Sequence, residues 1–177
     1  GLNNKVNVKF LDYRDVKDKY DHVVSIEMIE AVGEEYMDKY FEPIKKVLNK
    51  DGTAAIQGIA IKNELFNRYR ANEDFIQKYI FPGGFLPSIN FMEKLIKKND
   101  LKLEKINSYS DDYARTLATW RENFLGVWDK ISPLGFDDYF KRMWEFYLSY
   151  CEGGFKSRNI NLIQFSMSNR YSQWKDL

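Results

Sequence analysis

The sequence predicts an α/β fold in which helices cover both faces of a mostly parallel sheet that carries one antiparallel edge strand. Three observations predict it. Strand-like apolar runs alternate with longer segments of helical periodicity, the pattern of a three-layer sandwich. One run, Asp21-His-Val-Val-Ser-Ile-Glu-Met-Ile-Glu-Ala-Val-Gly33, is apolar through its middle, as expected of a buried parallel strand. A final strand follows directly on a pair of helices, so it does not easily run parallel to its neighbour.

The elements follow in order. Val6, Val8 and Phe10 alternate and read as a strand ending at Asp12-Tyr13. Val23 to Ile26 is the second strand. Gly33 to Leu48 reads as a helix with Tyr36, Tyr40, Ile44 and Val47 on one face. Asn49-Lys-Asp-Gly52 is a turn, and Thr53 to Ile61 a third strand. A helical segment covers about Glu64 to Ile80. The Gly/Pro loop Phe81-Pro-Gly-Gly-Phe-Leu-Pro-Ser88 follows, with Ser88 placed to cap a helix over Ile89 to Lys98. Leu101 to Ser108 is a fourth strand. Two aromatic helices come next, one carrying Tyr113, Leu117, Trp120, Phe124 and Trp128, the other Phe136, Phe140, Met143, Tyr147 and Cys151. Ile160 to Met167 alternates and closes the sheet. No repeat, low-complexity linker or second-domain boundary interrupts residues 1–177, so a single domain is expected.

Bulk properties narrow the function. The chain has 177 residues, enough for one sizeable core. A net charge of +1 gives no electrostatic case for nucleic acid. Aromatic residues make up 16%, more than a plain core needs, which points to an apolar ligand cavity or an interface. Basic residues cluster at Lys94, Lys97 and Lys98, a solvated helix face or a membrane-surface patch. The single cysteine, Cys151, excludes an intrachain disulfide and makes a reducing, cytoplasmic setting the default expectation. The single histidine, His22, reads as structural, and no metal-ligand cluster is visible. No apolar run approaches transmembrane length.

The run ending in Glu27 and Glu30 carries the chemistry. In open α/β sheets ligands bind beyond the carboxyl ends of the strands. A carboxylate delivered there, among Met28, Ile29, Ala31 and Val32, either holds a ligand or acts as a base.

Five ordered blocks then carry a family pattern: Asp12-Tyr-Arg-Asp15, Ser25-Ile-Glu-Met-Ile-Glu-Ala-Val-Gly33, Tyr79-Ile-Phe-Pro-Gly-Gly-Phe-Leu-Pro-Ser88, Tyr113-Ala-Arg-Thr-Leu117 with Trp120, and Phe140 to Phe155. In this order, over about Val6 to Asn169, the chain resembles the cyclopropane fatty acid synthase and mycolic acid cyclopropane synthase family. The resemblance implies a Rossmann-like class I S-adenosylmethionine-dependent methyltransferase fold. It implies methylene transfer from S-adenosylmethionine to the cis double bond of phospholipid acyl chains. The alkene is the nucleophile, and a bound bicarbonate serves as the base that removes a proton to close the ring.

By the same resemblance Glu30 holds the bicarbonate, Tyr113 contacts it through its hydroxyl, and Cys151 lines the pocket. Gln57, by the same resemblance a companion of Glu30 and Tyr113 at the anion, stands where many members have histidine. An amide still donates a hydrogen bond, and some members, plant-type ones among them, are similar in carrying Gln, so the change marks a subgroup. Asp12 and Tyr13 fall where this class contacts adenine, and Ser25, Ile26 and Glu27 near the methionine part of the cofactor. From the residues alone, Glu30 is equally an acidic helix-start residue, Tyr113 has a strong reading as plain core on an aromatic helix face, and Asp12 is by preference a turn cap.

The family's glycine-rich cofactor loop is not in this sequence, and Gly83-Gly84 and Gly153-Gly154 fall in the wrong places for it. The expectation is therefore the C-terminal part of a methyltransferase domain that lacks the first strands. Its open sheet edge is completed by the missing N-terminal segment or by a homo-oligomer. Unsaturated phospholipid at a membrane surface is the expected partner. The alternatives are a relative acting on another acceptor, an amine or an alkene without ring closure, and a catalytically incomplete lipid-binding fragment.

Overall fold

A computed structural model describes residues 1, 2 and 4–169. Four strands form one sheet in the order β1-β2-β4-β3: β1 (Tyr20–Ile26), β2 (Leu48–Ile61), β3 (Leu101–Ser108) and β4 (Ile160–Asn169). β1 and β2 are parallel, and β4 runs antiparallel to both β2 and β3. One antiparallel strand is thus present as expected, but it lies inside the sheet, and β3 forms the edge. β4 joins β2 along nine residue pairs, from Thr53–Ser168 to Ile61–Ile160. The long, apolar β2 offers it more ladder than an edge position beside β3 alone.

Alternation along the central strands sends side chains to two separate layers. Ala54, Ile56 and Ala60 of β2, with Ile163, Phe165 and Met167 of β4, meet α1 (Met37–Val47), α2 (Asn63–Arg70) and α4 (Ile89–Lys98) in the larger core. Ile59 and Leu162 face the other way. They pack with Ala114, Leu117, Leu148 and Phe155 from α5 (Ser110–Gly126) and α7 (Asp138–Lys156). Short α3 (Phe75–Tyr79) and α6 (Trp128–Ile131) complete the helices.

Several expected elements change on folding. Residues 6–10 form no strand: Val6, Val8 and Phe10 are exposed, and no strand among the described residues lies alongside to complete their ladder. The expected helix from Gly33 opens instead as a 3-10 turn at Glu34–Tyr36, leaving Tyr36 49% exposed and off the buried face. The expected turn at Asn49–Gly52 is absorbed into β2 as a bulge, with Tyr20 opposite Leu48 and His22 already opposite Thr53. Gly52 permits the close approach, since a Cβ there meets the Asp21 carbonyl at 3.0 Å. The segment expected helical through Ile80 breaks after Arg70. Asp74 restarts a helix by capping the Gln77 N–H at 2.9 Å, while Gln77 Oε1 accepts from the Asp74 N–H. The first aromatic helix ends at Gly126, with Trp120 half exposed rather than in its buried row, and Phe136 precedes α7. Ser88 caps α4 as expected, its Oγ accepting from the Phe91 N–H at 3.3 Å. His22 pairs with Thr53 Oγ1 across β1 and β2 at 2.9 Å.

β1 ends the sheet, its outer edge unpaired among the described residues. Val24 and Ile26 are 68% and 62% exposed on the face away from α1.

Candidate active site

The site is built where β1 ends. Glu27 takes the left-handed conformation at φ 55°, and its N–H still donates to the Gln57 carbonyl at 3.0 Å. The chain then coils into a 3-10 turn, Ile29–Ala31. That turn drives the Ile29 side chain into the core and slides the Glu30 carboxyl against β2. Glu30 Oε1 accepts the Ile59 N–H. The Glu30 carbonyl accepts from the Phe85 N–H at 2.9 Å, tying the turn to the Gly/Pro loop. Gly58 makes the approach possible: a Cβ there lies 2.6 Å from Ile29 Cγ2 and 3.2 Å from Glu30 Oε1. Gly58→Ala is therefore expected to destabilise the fold by about 1–3 kcal/mol through overpacking and to displace the carboxyl. Urea unfolding checks the first effect; an unchanged midpoint contradicts it.

Glu30 Oε2 is buried and has no hydrogen-bond partner. Burial pushes the Glu30 pKa up; the Ile59 N–H offsets part of this, and the nearby Glu27 charge adds to the rise. Tyr113, in the first turn of α5, has its pKa pushed up to about 12, first by burial and then by the charges of Glu27, Tyr147, Cys151 and Glu30. Its ring meets Phe155 edge-on at 4.9 Å and Trp120 at 6.1 Å. Tyr147 and Cys151 lie one turn apart on α7 and are also held at about 12, chiefly by burial. Both tyrosines are thus hydrogen-bond donors at neutral pH, and Cys151 is a neutral thiol.

The Cys151 assignment has a direct consequence. A thiol whose folded pKa lies above its unfolded value destabilises the fold only as pH rises from about 9 toward 12. At pH 8.5 iodoacetamide is expected to alkylate Cys151 at least tenfold more slowly than a free thiol, with the difference lost in denaturant. Equal rates contradict it.

Around Tyr113 the structure gathers Glu30, Cys151, Tyr147 and Glu27 in one electrostatic neighbourhood. Gln57 is placed differently. Its Nε2 donates to Glu27 Oε1 at 3.0 Å, and its Oε1 accepts from Gln164 Nε2 at 2.8 Å. Tyr13 and Ser25 are linked through Tyr40, whose hydroxyl donates to Ser25 Oγ at 2.8 Å and whose ring lies 6.1 Å from that of Tyr13. Ile26 is exposed at the strand end. Asp12 caps the 3-10 turn Tyr13–Asp15 and accepts from the Arg14 N–H at 2.9 Å. The Arg14 guanidinium holds its carboxyl down at about 2.

Sequence reasoning did not select Tyr147, Gln164, Gly58 or the Ile59 N–H. Tyr147 had a signal, four residues before Cys151 on one helix face. Gln164 had only its place in the β4 alternation, and the other two depend on strand register.

The mixed sheet with helices on both faces fits a Rossmann-like, class I methyltransferase fold, as the structural match shows. Mycolic acid cyclopropane synthase CmaA1, solved with SAH and CTAB, superposes with a TM-score of 0.78 at 25% identity over 88% of this chain and 57% of that one. The profile of the mycolic acid cyclopropane synthetase family matches residues 1–165, and the chain belongs to that family. It is 40% identical over 168 residues to tuberculostearic acid methyltransferase UfaA1 of Mycobacterium tuberculosis, covering 94% of this chain and 39% of that protein. It is 34% identical over 163 residues to the cyclopropane-fatty-acyl-phospholipid synthase of Escherichia coli K12, covering 92% of this chain and 41% of that protein. The chain thus spans about two fifths of the length of these relatives.

Proposed function

We propose that the protein transfers the methyl of S-adenosylmethionine to the cis double bond of phospholipid acyl chains and removes a proton to close a cyclopropane ring. One observation supports this most: the Glu30 carboxyl, with one buried oxygen unpartnered and the neutral Tyr113 in its field. A buried oxygen without a partner is costly, and a proton-bearing anion such as bicarbonate answers it by donating to Oε2. Glu30 and Tyr113 would hold that anion, with Cys151 lining the pocket. When bound, S-adenosylmethionine supplies an electrophilic methyl on a sulfonium and bicarbonate supplies the base.

The chain's own groups do the rest. Glu30 and the Tyr113 hydroxyl orient an anion, and the apolar walls exclude water from a developing carbocation, while aromatic faces stabilise it. Cys151, held as a neutral thiol, is no nucleophile.

A phospholipid surface fits the outer side of α7. A shallow groove of about 250 Å³ is lined by Phe75, Tyr79, Tyr139, Arg142, Met143 and Phe146. Exposed aromatics beside a cation match the interface between acyl chains and phosphate. Among the described residues no helix is long and apolar enough to cross a membrane, and peripheral association is the reading adopted. The open edge of β1, with exposed Val24 and Ile26, receives further strands from the rest of the protein or from a second copy.

The second reading is methylation of the alkene without ring closure; the UfaA1 relative is named a methyltransferase and not a cyclopropane synthase. The whole gene product, incubated with S-adenosylmethionine and unsaturated phospholipid vesicles, separates the two by mass spectrometry. A one-carbon gain that resists hydrogenation is a ring. A gain that takes up hydrogen is a methylene product. Gain on a small amine and none on lipid refutes the acyl-chain reading.

A further inference from the structure

Three polar side chains form a hydrogen-bonded chain across the sheet at the carboxyl end of β1. Gln57 and Gln164 are direct partners in the β2–β4 ladder, and Gln164 Nε2 donates to Gln57 Oε1 at 2.8 Å. Gln57 Nε2 in turn donates to Glu27 Oε1 at 3.0 Å. Chemistry sets the direction of this chain. An ionised carboxylate only accepts, so Gln57 turns its nitrogen toward Glu27 and its oxygen toward β4, and Gln164 must then present its own nitrogen. Turning either amide over sets oxygen against oxygen.

Glu27 is also one of three non-glycine residues with positive φ among those described. At φ 55° glycine is at ease, whereas a residue with a Cβ is strained. Strain and tether fall on the same residue, at the strand end that opens onto the site. Gln–Gln pairs also occur on sheet faces simply as ladder partners, and that role predicts no effect on ligand affinity.

We propose that Gln164 is a positioning residue: through Gln57 it holds the Glu27 carboxylate at the end of β1, where Glu27 takes the cationic amino-acid end of the methyl donor. Gln57 thereby serves the donor side of the site and not the anion held by Glu30. The ligand in this inference rests on the methyltransferase reading; the relay does not.

The test uses the whole protein. Gln164→Leu weakens S-adenosylhomocysteine binding in calorimetry about tenfold and raises KM for S-adenosylmethionine equally, with kcat within about twofold. Gln57→Leu does the same, and the double variant is no worse than Gln57→Leu alone, because both changes break one chain. Glu27→Gly weakens binding at least as much yet raises the melting temperature, since glycine relieves the positive φ. Unchanged affinity in Gln164→Leu, additive losses in the double variant, or a lowered melting temperature with intact binding in Glu27→Gly overturns the proposal. Independently of any ligand, the Gln57 side-chain amide resonance shifts in Gln164→Leu and in Glu27→Gln; an unmoved resonance overturns the relay. Wild-type protein that fails to bind S-adenosylhomocysteine while the resonance shifts overturns the donor-side role together with the methyltransferase reading, and leaves the relay standing.

Discussion

Glu30→Gln is expected to lower turnover of lipid by about 10²- to 10³-fold, the range of a lost acid–base group, while S-adenosylhomocysteine affinity stays within about twofold of the parent. The amide keeps the shape of the side chain, and its oxygen still accepts the Ile59 N–H. What is lost is the second oxygen, buried and unpartnered, that the proposed anion requires. Stability moves the other way. Burial raises the Glu30 pKa, so the folded state prefers the protonated carboxyl, and this preference is fully expressed below the unfolded value and lost as pH rises through the folded one. Above the folded value the protein carries a desolvated charge that Gln removes, and there the variant is expected to be at least as stable as the parent. The parent's pH–rate profile is expected to carry an acidic limb displaced above the ordinary carboxylate range, and Glu30→Gln to lack it. Full turnover in the variant removes Glu30 from the mechanism.

Phe155→Ala is expected to destabilise the protein by about 3–5 kcal/mol, the cost of emptying a buried aromatic site. Phe155 is 1% exposed and packs with Ala114, Leu117, Leu148 and Leu162, the cluster that joins α5 and α7 to the sheet. It is also the ring that meets Tyr113 edge-on at 4.9 Å, so turnover falls along with stability. Urea unfolding followed by tryptophan fluorescence reads the shift in midpoint. Phe155→Leu retains most of the volume and is expected to cost less than about 1.5 kcal/mol. A loss below about 1 kcal/mol for the alanine variant means that this layer collapses to fill the void and does not hold Tyr113.

Legibility in the sequence followed the range of the forces involved. Apolar periodicity is local, so β2, β4, α4, α5 and α7 were readable where Thr53 to Ile61, Ile160 to Met167 and the aromatic rows placed them. Features that need a partner strand were not. Val6, Val8 and Phe10 carry a strand pattern yet form none beside the described sheet, because alternation supplies a face and not a ladder. The Asn49–Gly52 turn signal was real chemistry, but the β1–β2 pairing made it a bulge. Asp74 broke a helix that periodicity alone extends, by offering the backbone a better cap.

By itself the sequence determined the fold class and the family, because apolar pattern and ordered motifs are properties of the chain. Only the tertiary structure decided that β4 lies inside the sheet, that Gly58 lets the Glu30 carboxyl press against β2, and that Gln57 faces Glu27 through Gln164. Each of these depends on register between strands far apart in sequence, and register is set by which faces find a core to bury.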